Sequence, residues 1–279
     1  NPTIDSVIIA APVEKHFDLA KRSLISGKNV LVEKPMTETV EQAEELCQLS
    51  SKYDKLLMVD HLLLYHPVVV DIRNRIRKGE IGETYYMSSQ RLNLGVVRSN
   101  ENVLWSLAPH DIALAIDLIS EQPHEVSAQG AVFIQPTLGI EDVASATLKF
   151  PSGKIATLQL SWLDPHKVRK VTIVGDKKMI VFDDMEAQDK LKIYDKGVKS
   201  LTDGNNIQVR YGDLIVPNIR MKEPLGEMCM HFLESVENNT IPYSDGISGL
   251  QTVKVLNAAQ KSISQNGSPV SLVNPIAND

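Results

Sequence analysis

The sequence predicts an α/β protein in two parts: three strands of a parallel, doubly wound sheet in residues 1–62, then an α+β domain in residues 63–279 with a large, mostly antiparallel open sheet. Three observations predict this. Val7-Ile8-Ile9-Ala10-Ala11 and Val30-Leu31-Val32 are unbroken apolar runs, the pattern of strands buried on both faces. A stretch of helical period separates them, which makes a strand-helix-strand unit. Beyond Thr84 strand patterns dominate, and Pro151-Ser152-Gly153-Lys154 and Gly175-Asp176-Lys177-Lys178 punctuate two hairpins.

Taken in order, Pro12 ends the first strand, and Phe17, Ala20 and Leu24 mark a helix over 14–26. The strand 29–32 follows. Thr39 opens a helix to Tyr53 with Gln42 placed to complete a capping box, and Leu56 to Val59 is a third strand. Half of a doubly wound sheet is poorly covered alone, so the other half is expected upstream of Asn1. Pro67 starts an amphipathic helix to Lys78, with Arg73, Arg75 and Arg77 on its solvated side. Strands are expected at 84–92, 126–134, 143–150, 155–162, 168–174 and 179–182. In the third of these Ala144, Ala146, Leu148 and Phe150 alternate with polar residues, so one face of the sheet is packed and the other open. A helix follows Pro109 and runs to Ile119; two more cover 225–237 and 249–264, and a short strand lies at 270–272. Residues 196–223 show the least regular pattern and read as a long loop.

With 279 residues, 43% of them hydrophobic, the chain has ample material for two cores. A net charge of -6 argues against a nucleic-acid partner, which needs a basic face. No apolar run approaches the roughly 18 residues of a membrane span, so no membrane partner is expected. Two cysteines, Cys47 and Cys229, imply no disulfide framework and fit a cytoplasmic protein.

Two residues stand out chemically. Lys34 ends a buried strand before Pro35, at the carboxyl edge where open α/β sheets bind ligands; it reads either as a surface lysine or as a partly desolvated amine suited to proton transfer. Glu33 beside it points to the opposite face of the extended segment. His110, at the expected helix start, reads either as structural or as a base kept neutral by the helix dipole. His61 and His66 lack metal-ligand spacing and companions, so no metal is expected. No nucleophile elbow and no Gly-x-Gly-x-x-Gly loop is present; in an intact dinucleotide fold the loop lies on the first strand, upstream of residue 1.

Asp5-Ser6-Val7-Ile8-Ile9-Ala10-Ala11-Pro12 with His16, then Gly27 through Glu33-Lys34-Pro35, and later Ala108-Pro109-His110-Asp111, resemble the Gfo/Idh/MocA oxidoreductases. The likeness covers nearly the whole chain, with the carboxyl-terminal half of the Rossmann-type sheet at its start. Tyr85-Tyr86, Arg91-Leu92-Asn93-Leu94-Gly95, Leu104-Trp105 and Ser161-Trp162-Leu163-Asp164-Pro165 are most similar to the sugar-nucleotide branch, of the UDP-N-acetylglucosamine or glucuronate 3-dehydrogenase kind. The resemblance implies NAD or NADP as cofactor, a sugar or sugar-nucleotide substrate, and a homo-oligomer formed through the open sheet. It puts Ala11, Pro12, His16, Glu33 and Pro35 near the nicotinamide, Lys34 and His110 on the reacting hydroxyl, and Arg91, Asn93 and Asp111 on the substrate. Many relatives carry an aspartate four residues before the histidine; Ser106 stands there, which shifts proton transfer towards Lys34. Without an upstream phosphate loop, this chain is expected to hold a dinucleotide poorly. The alternative reading is a ligand sensor or scaffold of the same fold; a carbohydrate-binding or dimerisation module is a third.

Overall fold

The computed structural model describes residues 1, 3–200 and 207–272. The first sheet has β1 (Ser6–Ile9), then α1 (His16–Ile25), β2 (Asn29–Val32), α2 (Val40–Tyr53) and β3 (Leu57–Val59). Its strands pair in parallel in the order β1-β2-β3. The apolar runs are buried as their lack of alternation requires, with Val30, Val32 and Val59 fully enclosed. Thr39 caps α2 by accepting from the Gln42 amide at 3.3 Å. The Gln42 Oε1 is buried without a partner among the described residues, so the reciprocal half of the capping box is not made.

After α3 (Pro67–Arg77) come β4 (Thr84–Leu92), α4 (Val103–Ile119), β5 (Glu125–Ala131), β6 (Val143–Lys149), β7 (Ile155–Ser161), β8 (Val168–Gly175), β9 (Met179–Asp183), β10 (Leu191–Ser200) and β11 (Ile207–Ile215). The chain closes with α5 (Pro224–Asn238), α6 (Gly246–Ser264) and β12 (Val270–Ser271). The second sheet has the order β11-β10-β9-β8-β4-β7-β6-β5-β12. In it β4 and β7 run parallel, and the other described pairs are antiparallel. The alternation along β6 buries Ala144, Ala146 and Leu148 against α4. The α6 helix serves both sheets: Leu250 and Val253 lie in the core of the first, while Val255, Leu256 and Ala259 join that of the second.

Three expectations are corrected. The loop expected at 196–223 contains the end of β10 and all of β11, paired from Ile193↔Ile215 to Ser200↔Ile207; positions 201–206 lie outside the described residues. Arg73 is not solvated: it is buried, with Nε 2.7 Å from Asp117 Oδ2 and Nη2 donating to the Leu64 carbonyl at 3.0 Å. The third correction is that α4 starts seven residues ahead of His110. Asn102 caps it by accepting from the Trp105 amide at 3.0 Å, and Pro109 stands inside the helix.

Candidate active site

The parallel sheet delivers two pairs of titratable residues to one edge. Glu33-Lys34 follows β2, and Asp60-His61 follows β3. Lys34 reaches across to α4, where its Nζ donates to the Ser106 carbonyl at 2.8 Å. One turn later on the same helix stands His110. Lys34, Ser106 and His110 line one cavity of about 410 Å³, together with Arg91, Asp111 and Asp184. Three of the site residues read from the sequence therefore meet Lys34 in one place: His110, Arg91 and Asp111.

The cavity sets protonation states. Burial pushes the Lys34 pKa down; Glu101 and Glu33 oppose the shift, while Arg98 and Arg91 favour it. Glu33 thus acts on Lys34 even though the two are successive residues of an extended segment. His110 is held well below the usual imidazole range by burial, then by Arg91, Lys34 and His61. Its ring is therefore neutral, but for a different reason than a helix terminus, because the dipole effect is confined to the first turn. The Nδ1 of His110 is buried without a partner among the described residues.

Asp60 was passed over by sequence reasoning, and His61 was weighed only as a metal ligand. Burial, and then the neighbouring Glu33 carboxylate with which it shares a hydrogen bond, push Asp60 up to about 7. His61 is fully buried, and burial together with Lys34 lowers it to about 4. A pair of titratable residues at the end of a buried strand is the signal that singled out Lys34, and the same signal was present at Asp60-His61.

Asp111 is anchored from two sides. It accepts from Ser89 Oγ at 2.8 Å and takes both Nε (2.7 Å) and Nη2 (3.1 Å) of Arg91. This fork fixes the Arg91 guanidinium against the cavity wall. Asn93 sits outside that cavity, in an adjoining side pocket of about 180 Å³. Asp184 is drawn on by Lys190 at 3.1 Å and His66 at 3.6 Å. Burial alone would raise its carboxyl, but hydrogen bonds from His66 and Lys190 prevail and bring it to about 2.

The residues assigned to the cofactor group differently. His16 is buried and ties the two strand ends together, with Nε2 2.7 Å from the Ala11 carbonyl and Nδ1 2.9 Å from that of Pro35. Pro35 also lines an open hollow with Val13, Glu38 and Trp105, beside the carboxyl ends of β1 and β2. Its lining is mixed, with Glu38, Glu101 and Glu141 beside Val13, Trp105 and Ile140. Ala11 and Pro12 form the turn that His16 secures. Cys47 does not compete as a reactive group: its Sγ donates to the Gly246 carbonyl at 3.2 Å, and burial lifts its pKa to about 11.

Comparison with known proteins agrees with this architecture. Residues 1–61 match the oxidoreductase family with an NAD-binding Rossmann fold, and residues 69–181 match the GFO/IDH/MocA C-terminal domain. The chain belongs to the Gfo/Idh/MocA oxidoreductases, an NAD-binding family. Among curated relatives, the scyllo-inositol 2-dehydrogenase of Bacillus subtilis is 25% identical, over 98% of this chain and 79% of its own length. The UDP-N-acetylglucosamine 3-dehydrogenase of Acidithiobacillus ferrooxidans is 24% identical, over 88% and 74% respectively. A solved inositol dehydrogenase homolog of Azotobacter vinelandii, complexed with NADH and myo-inositol, superposes with a TM-score of 0.80 at 18% identity, covering 96% of this chain and 78% of that one.

Proposed function

We propose that this oxidoreductase moves a hydride between NAD or NADP and a secondary alcohol of a sugar or sugar nucleotide, with Lys34 and His110 handling the hydroxyl proton. One observation carries the reading: Lys34 and a neutral His110 line the same cavity at the carboxyl edge of the parallel sheet. The nicotinamide supplies the hydride acceptor or donor. Ala11, Pro12, Glu33 and Pro35 would hold its nicotinamide end, with His16 fixing the two turns that carry them. In the oxidative direction the Lys34 amine, whose pKa burial lowers, takes the hydroxyl proton as the carbonyl forms. His110 hydrogen-bonds the same oxygen and keeps it in line. Ser106 offers no carboxylate, and its carbonyl instead orients the lysine. Asn93 and the Arg91-Asp111 fork face the rest of the substrate.

The exposed apolar side chains of β11, among them Ile207, Val209 and Tyr211, make the open sheet our choice for a contact between copies of the chain. Cys47 and Cys229 are both unpaired, which suits a reducing cytoplasm. The test is reduction of NAD+ or NADP+ by the natural full-length protein across inositols, free aldoses and nucleotide sugars. Turnover of any of these alcohols that falls in His110→Asn supports the reading. No turnover with the whole panel in either direction refutes it and favours a ligand sensor of the same fold.

A further inference from the structure

The side pocket beside the Lys34 cavity is lined by Arg91, Arg98, Lys167 and Arg169, and no carboxylate lines it. It shares Arg91, Arg98, Ser106, Leu107 and Arg169 with the main cavity, so the two form one cleft. Four cationic side chains thus meet at this end of the cleft in a chain whose net charge is -6.

The register of the sheet makes this arrangement costly. Arg91 and Arg169 are direct partners on the antiparallel strands β4 and β8, so both side chains leave the same face. Like charges directly opposite one another destabilise a sheet. The nearby acids compensate in part only. Asp111 is engaged by Arg91 and Ser89, whereas Asp184 lies 3.9 Å from Arg169 and is held more closely by Lys190 and His66. Arg98 has Glu101 at 3.1 Å but remains half exposed. Lys167 has no ion-pair or hydrogen-bond partner among the described residues. Arg98 and Arg169, which their acidic neighbours satisfy only in part, and Lys167, which has no such neighbour among the described residues, bring cationic donors to a pocket of about 180 Å³, and that is the chemistry of an oxyanion receptor.

We propose that this pocket is an anion subsite of the substrate: Arg98, Lys167 and Arg169, braced by Arg91, hold a phosphate, diphosphate or carboxylate group of the sugar whose hydroxyl lies at Lys34. The inference rests on the dehydrogenase reading and narrows it to substrates that carry a negative charge, which excludes neutral inositols as the preferred ones. The described lining of the side pocket comes from β4, α4, β8 and the segments next to them, with nothing from residues 1–61, which points to the substrate as the bearer of the anion.

The test is calorimetric binding of inorganic pyrophosphate and of glucuronate to the natural full-length protein, to the double variant Lys167→Gln/Arg169→Gln, and to the remote surface control Lys52→Gln. The wild type is expected to bind at least one of the two, more weakly as salt is raised. Preference for pyrophosphate assigns a phosphate-bearing substrate, and preference for glucuronate assigns a carboxylate. The double variant is expected to lose roughly tenfold or more in affinity, as charge-assisted hydrogen bonds are removed, while the control keeps it. Binding of neither anion, equal binding by the double variant, or displacement of the anion by NADH each overturns the subsite. The dehydrogenase reading fails separately, if anion binding persists but no alcohol is oxidised.

Discussion

His61 allows a quantitative prediction about acid stability. Its pKa is lowered from 6.5 to about 4 by burial and by Lys34. The unfolded chain therefore binds a proton in the interval between those values that the folded chain refuses. The sign follows directly: a depressed folded pKa gives stability that is present above 6.5 and is lost as pH falls towards 4. Between about pH 7.5 and about pH 5 the loss attributable to this group is roughly 2 kcal/mol. Asp60 works in the opposite direction. Its raised pKa favours folding at low pH and loses that advantage as pH rises through about 7, so the wild-type profile is a partial cancellation. The informative quantity is consequently the difference between wild type and His61→Gln. Urea unfolding at the two pH values should show wild type losing roughly 2 kcal/mol more than the variant on acidification. Parallel pH profiles for the two proteins would refute the assignment of a neutral buried His61.

Three further outcomes are expected. Because only the neutral amine of Lys34 accepts a proton, kcat/KM for alcohol oxidation should rise with pH and level off below the ordinary lysine value of 10.5; a limb that is still rising at 10.5, or no rising limb at any pH, would contradict this. Asp111→Ala leaves the Arg91 guanidinium without its carboxylate partner and should cost roughly 3–5 kcal/mol in chemical denaturation, while Asp111→Asn should cost less. Gly175→Ala puts a Cβ 2.2 Å from the Ile81 carbonyl oxygen, so the backbone must shift; a loss of roughly 1–3 kcal/mol is expected, and an unchanged Tm would count against the tight packing of that turn.

The sequence was most informative where burial imposes a period. β4 spans the expected residues 84–92, and α2 begins directly after its predicted cap Thr39. It was least informative where packing overrides local preference. Pro109 looked like a helix start because proline suits the first turn, yet residues 103–119 are so largely enclosed that the helix continues through it from Asn102. β11 escaped because its described side chains are nearly all exposed and so lack the alternation that marks a half-buried strand; Gly212 interrupts it further. Arg73 resembled its neighbours Arg75 and Arg77, and its partner Asp117 lies on another helix, beyond any local pattern.

In the candidate site, Lys34 and His110 were singled out one by one, the lysine as a charge at a buried strand end and the histidine at an expected helix start that lies mid-helix in the structure. Arg169 was not, because its importance comes from standing opposite Arg91 across two strands far apart in sequence. Asp60 and His61 were readable by the same reasoning that found Lys34, but His61 was weighed only as a metal ligand.

The most direct test of the account is the oxidation rate of Lys34→Ala with and without added methylamine, in the natural full-length protein with its best alcohol substrate. Removal of the general base predicts a fall in kcat of roughly 100-fold to 10,000-fold, partly restored by the free amine in its neutral form. A variant that keeps its rate to within a few-fold would show that Lys34 does not take the proton, and would contradict the central claim.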